Sequence, residues 1–252
     1  MSAFDDPLFL VNQARNNIAE FETICERFFA ENIGRQRIDI DPETGNKTFK
    51  FVFEANLPER GRHICNTCIG DMRHALDQAA CIAFESITGT EAPDKLYFPI
   101  TTHPNDLIGR LTQFFPPELH PVFKRLEPYP TSARYPGGTD LLCDLSSAAQ
   151  NKHRLVPKIG GRIISASGPI KAEEIIWLNP RPVWDIANNE LVFGTTRPNG
   201  YIDANINISF YIAFYQAGPL SGRPANSTLR EITDMVERFV SEVAAETARI
   251  TS

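Results

Sequence analysis

No apolar run in this chain of 252 residues approaches the ~20 that a membrane-spanning helix needs. The opening MSAFDDPLFL has two acids and no basic cluster, so it does not read as a secretory signal peptide. A basic excess is missing as well. Lys and Arg number 25 against 31 Asp and Glu, a net charge of −6. A protein that works by holding nucleic-acid phosphates needs the opposite balance, so nucleic acid is not an expected partner. The five cysteines (Cys25, Cys65, Cys68, Cys81, Cys143) are odd in number and scattered through apolar stretches. That excludes a complete disulfide framework and points to reduced thiols in a cytoplasmic setting. No GxGxxG or Walker loop, GxSxG elbow, HExxH pair or EF-hand loop occurs, so no cofactor is expected. Cys65-x-x-Cys68 lacks a second pair at zinc-finger spacing, and no metal is expected there either.

What is present describes an ordinary globular chain, 42% hydrophobic and 22% charged. No repeat, low-complexity tract or linker divides it, which gives one domain over residues 1–252. Asp6 and Pro7 suit a helix start, and Val11, Ala14, Ile18, Phe21, Cys25 and Phe28 draw one apolar stripe towards a stop at Gly34. RQRIDID and KTFKFVFEANL flank a PETGN turn as a hairpin. A second helix is expected from about Arg62 to Ser86, ended by Gly89. Prolines crowd residues 93–136, where FPI at 98–100 reads as a buried anchor between short helical pieces. Thr139 opens a helix through Arg154.

RIISA, KAEEIIWL, PVWDI and ELVFGTT follow as short strands, with Gly160-Gly161 as a tight bend. Residues 202–214 alternate Ile202, Ala204, Ile206, Ile208, Phe210, Ile212 and Phe214 with mostly polar neighbours, the mark of a central strand. A last helix starts at the capping box Thr228-x-x-Glu231. The order gives an α+β fold. An antiparallel sheet, built from the N-terminal hairpin and a C-terminal meander, is packed by long N-terminal, middle and C-terminal helices.

The second helix holds the densest polar signal. At 100° per residue His63, Thr67, Gly70, His74, Asp77 and Cys81 share one face, opposite a core stripe of Cys65, Cys68, Met72, Leu76, Ala79 and Ala83. Asp77 lies one turn from His74 and can orient its imidazole as a general base, and Arg73 lies four residues before Asp77. A second cluster, NKHRL at 151–155, offers Asn151, His153 and Arg154 at a helix end. There the basic side chains can cap carbonyls, or Arg154 can hold an anion while His153 moves a proton.

RHALDQAACIA at 73–83, FPI at 98–100, LEPY at 126–129 and NKHRL at 151–155 together resemble a broad set of bacterial proteins without an assigned activity. These share an L-R-S-A-L-D-H-L type helix, FPI, QPY and DKHR segments. The resemblance covers the middle third of the chain and implies membership of that set. Gln78 and Asn151 depart from the set's usual histidine and aspartate, which argues against a metal at those two positions.

Two readings follow. The first is a bacterial, cytosolic, non-catalytic binding or assembly protein whose His, Asp and Arg side chains form an internal polar network. Its partner would be a small molecule or anion, or a second copy docked through the terminal helices. The second is a small hydrolase, of phosphodiesterase or ribonuclease type, with His74, Asp77, His153 and Arg154 as catalytic groups and His63, Arg73 and Asn151 as binding groups. Both expect the polar face of the second helix to meet the NKHR segment.

Overall fold

A computed structural model of the protein describes residues 3–150, 156–179, 182–215 and 218–252. The N-terminal helix α1 (Asp5–Glu31) buries Val11, Ala14, Ile18, Phe21, Cys25 and Phe28, the stripe read from the sequence. Its start differs: Phe4 takes the capping position without a side-chain cap, and Asp6 lies inside the first turn. A hairpin of β1 (Arg35–Ile40) and β2 (Lys47–Val52) follows. The middle helix α2 (Glu59–Thr88) stops at Gly89, whose φ of 67° is the left-handed closure that glycine takes without strain.

Helices α3 (Pro104–Phe114) and α4 (His120–Leu126) punctuate the proline-rich stretch. Phe98 is buried against Phe123 and Phe239, which makes FPI the anchor of that region. Helix α5 spans Asp140–Gln150. The Thr139 hydroxyl donates to the Leu126 carbonyl (3.1 Å) instead of capping α5. Asn151, His153 and Arg154 lie outside the described residues.

The C-terminal β region is two long strands: β3 (Val156–Leu178) takes in RIISA and KAEEIIWL, β4 (Glu190–Tyr215) joins ELVFGTT to residues 202–214, and PVWDI lies in neither, with Asp185 in an isolated bridge to Glu190. The sheet is antiparallel throughout, in the order β1-β2-β4-β3, so β4 is central as its alternation requires. Ile212 and Phe214 are buried on its core side. Gly160 and Gly161 are not a bend. They lie within β3, and a Cβ at Gly161 would come within 2.5 Å of the Trp184 ring. The bare backbone seats that indole, whose Nε1–H donates to the buried Ile159 carbonyl (3.0 Å).

The last helix α6 (Ala225–Thr251) begins at Pro224, one turn before the expected box, so Thr228 is buried in its interior and Glu231 pairs with Arg223. Helices α1, α2 and α6 pack on one another, and Phe28 and Phe29 carry α1 onto Phe53 beside the sheet. In α2, Ala75, Ala79, Ala80 and Ala83 are fully buried, and such small side chains let neighbouring helices approach closely. The result is α+β, with helices against an antiparallel sheet. Among the described residues no helix is long and apolar enough to cross a membrane.

Candidate functional site

One flank of α2 is polar where the rest of the helix is packed. Arg73 and Asp77, one turn apart, form a two-pronged ion pair: Nε to Oδ2 at 3.0 Å and Nη2 to Oδ1 at 2.8 Å. The Phe98 amide also donates to Asp77 Oδ1 (2.9 Å), and Arg73 Nη1 reaches Ser146 Oγ on α5 at 3.5 Å. The pair thus ties α2 to the FPI segment on one side and to α5 on the other. Both side chains are only 20% exposed. Burial pushes the Asp77 carboxyl above its ordinary value, against the pull of Arg73, the Phe98 amide and His74. The same flank carries Arg62 and Asn66 at helical spacing. Their Nε and Oδ1 atoms are buried without a hydrogen-bond partner among the described residues.

Beside the pair opens a cleft of about 400 Å³, walled by α2, α3, α5 and the segment before α3. Arg73, Asp77, Tyr97, Arg110, Ser146 and Gln150 supply its polar lining. Arg110 reaches it from α3, half-buried, with no hydrogen-bond or ion partner among the described residues. Two guanidiniums therefore face the cleft against one carboxylate, and that carboxylate is already bonded. Guanidiniums in such a setting have the geometry and charge to bond a carboxylate or phosphate.

The structure divides the residues singled out from the sequence. Arg73 and Asp77 line the cleft; His63 and His74 are exposed on α2 and do not. His63 Nε2 lies 3.5 Å from Thr67 Oγ1, and Asp77 bonds Arg73 and Phe98 rather than His74. The face splits because the segment of Leu96 and Phe98 runs along α2, taking Cys81 (Sγ to the Leu96 carbonyl, 3.6 Å) and Asp77 and leaving the histidines outside. Asn151, His153 and Arg154 are outside the described residues, directly after Gln150 of the cleft wall.

Compared with protein-family models, curated proteins and solved structures, the chain matches none.

Arg110, Tyr97, Ser146 and Gln150 escaped the sequence reading. Arg110 is the single cation of the GRLTQFF piece, and nothing in its spacing separates it from a solvated surface charge. LEPY has a local task. Glu127, at φ 47°, accepts from the Tyr129 hydroxyl (3.0 Å) and the Gly138 amide (3.1 Å), closing the loop that leads into α5. All five cysteines are free thiols. Burial pushes Cys25 and Cys68 up to about 12 and Cys143 up to about 11, with Cys65 also raised. Among the described residues no three His, Cys, Asp or Glu side chains come together as a metal site.

Proposed function

We propose that this chain is a non-catalytic binding protein whose cleft between α2, α3 and α5 takes a small anionic ligand, a carboxylate or phosphate, at Arg110. One observation carries the reading. Both Asp77 oxygens are spent on Arg73 and the Phe98 amide, while Arg110 faces the cleft unpaired among the described residues. The Arg73–Asp77–Ser146 network then holds the walls in place, and Arg110 supplies the charge-assisted bonds. The cleft suits a small ligand better than a polymer, since a net charge of −6 disfavours a long polyanion. A cytosolic setting agrees with five free thiols.

Membership of the bacterial set sharing the four segments belongs to the same proposal. It is supported by contacts among three of them: Asp77 of the first bonds Phe98 of the second, and the Thr101 amide, next to FPI, donates to the Pro128 carbonyl of the third (2.9 Å). The hydrolytic reading, through His74, Asp77, His153 and Arg154, has less behind it, because Asp77 is not free to orient His74. A dimer through the terminal helices also has less behind it. The apolar stripes of α1 and α6 are spent on each other and on α2.

Calorimetric titration with inorganic phosphate and with a dicarboxylate tests the proposal. Wild-type protein is expected to bind one of them, and Arg110→Ala to lose that binding with its thermal melt unchanged. Binding that survives Arg110→Ala contradicts the site; binding of neither anion contradicts the ligand class.

A further inference from the structure

β1 is an edge strand: it stands at the end of the strand order, and its described ladder is with β2. The hairpin sets which of its groups face out. The Asp41 amide donates to the Asn46 carbonyl (2.9 Å), and pairs in an antiparallel ladder alternate from there. Ile38 opposite Phe49 and Ile40 opposite Lys47 are therefore the wide, non-bonded pairs, and their N–H and C=O groups point away from β2. Their side chains are exposed too, at 50% and 63%.

Natural sheets blunt such edges with bulges, prolines or isolated charges. The opposite edge is blunted. The pairing of β3 with β4 slips at four places, and Glu174 of β3 takes φ 49°. β1 has no slip in its register and no proline. Its charges are arranged instead as a palindrome, with Arg35 and Arg37 before Ile38 and Asp39 and Asp41 after it.

We propose that β1 is the interface of a two-fold homodimer, its strands paired antiparallel about Ile38. That axis sets Arg37 opposite the partner's Asp39 and Arg35 opposite the partner's Asp41. Moving it by one residue sets Arg37 opposite Arg37, or Asp39 opposite Asp39, so charge selects the register. Within one copy, Lys50 already bridges Asp39 and Glu190 across β1, β2 and β4. Asp39 also accepts from Arg37 of its own strand (2.8 and 3.3 Å), and Arg35 bonds Glu54 (2.6 Å), so the dimer exchanges these exposed pairs for pairs with the partner. On the other face Ile38 meets its own copy, next to a groove that Phe49, Phe193 and Ile202 line together with Gln36, Arg37 and Lys50. The partner is a second copy of this chain because only a two-fold axis makes the palindrome complementary to itself.

Analytical ultracentrifugation of the full chain over a range of concentrations tests the proposal, with Ile38→Pro and Arg37→Asp beside wild type. The Ile38 amide points outward, so proline spares the β1–β2 ladder and removes a bond needed only by the dimer. Wild type is expected to be a dimer, and Ile38→Pro a monomer with a near-native melt. Arg37→Asp is expected to weaken the dimer about tenfold or more at low salt and less at high salt. Should Ile38→Pro fail to fold, Arg37→Asp and its salt dependence decide alone. A wild-type monomer, an open-ended oligomer series from β1 meeting β3, or a dimer indifferent to Arg37→Asp would overturn the proposal.

Discussion

Asp77 shows how one side chain can hold three elements. It accepts two bonds from Arg73 and one from the Phe98 amide, and Arg73 reaches on to Ser146. Asp77→Ala leaves a half-buried guanidinium and an amide without their acceptor. A loss of about 2–3 kcal/mol is expected in denaturant melts, because a buried group stripped of its partner keeps its full desolvation cost. A loss under about 0.5 kcal/mol, the scale of an exposed pair, would mean that the network holds nothing together.

Asp71, one turn before His74, behaves differently. It is half-buried, and burial raises its carboxyl above the ordinary 3.8, with only the charge of His74 opposing. Below 3.8 the folded and unfolded chains both hold the proton. Between 3.8 and the raised value only the folded chain does, so this contribution to stability is lost as pH rises through that window. Asp71→Asn has no proton to lose. Its stability relative to wild type should therefore climb from acid to neutral pH in paired melts; a flat or falling difference contradicts the assignment.

At the scale of elements, β4 offers the sharpest test of register. Ile212 is buried and Ser209, on the other face, is exposed. Ile212→Asp should cost more than ~4 kcal/mol and Ser209→Asp under ~0.5, since only the first buries an unpaired charge. The reverse order in parallel melts would invert the sheet.

What the sequence made legible follows from periodicity. The stripes of α1, α2 and α6 and the alternation of β4 are repeated signals, each residue supporting the next. The missed features are single contacts made by distant segments. Thr228 and Glu231 have capping-box spacing, but Pro224 starts α6 earlier because Thr228 packs inside. The glycines of β3 read as a bend because nothing local announces the Trp184 ring that lies on them. The polar face of α2 divides because the Leu96–Phe98 segment covers half of it, a tertiary fact that helical angle does not contain.

Across the whole molecule, the ends of the chain are laced together. Arg15 of α1 binds Glu237 of α6 (2.5 Å), and Arg230 of α6 binds Glu22 of α1 (2.5 Å). The central strand β4 pairs with β2 from the first quarter of the chain. Neither half can keep its core without the other, so a single unfolding transition is expected, with equal calorimetric and van't Hoff enthalpies. Two separate transitions would divide the chain into domains.

The central claim is that ligand binds in the cleft between α2, α3 and α5 and not on the histidine face of α2. NMR of the arginine Nε–H and histidine ring signals during titration with the bound anion addresses it most directly. The account predicts that the Arg110 and Arg73 resonances move in a saturable way while His63 and His74 stay in place. Saturable movement of His74 with Arg110 unmoved would contradict it.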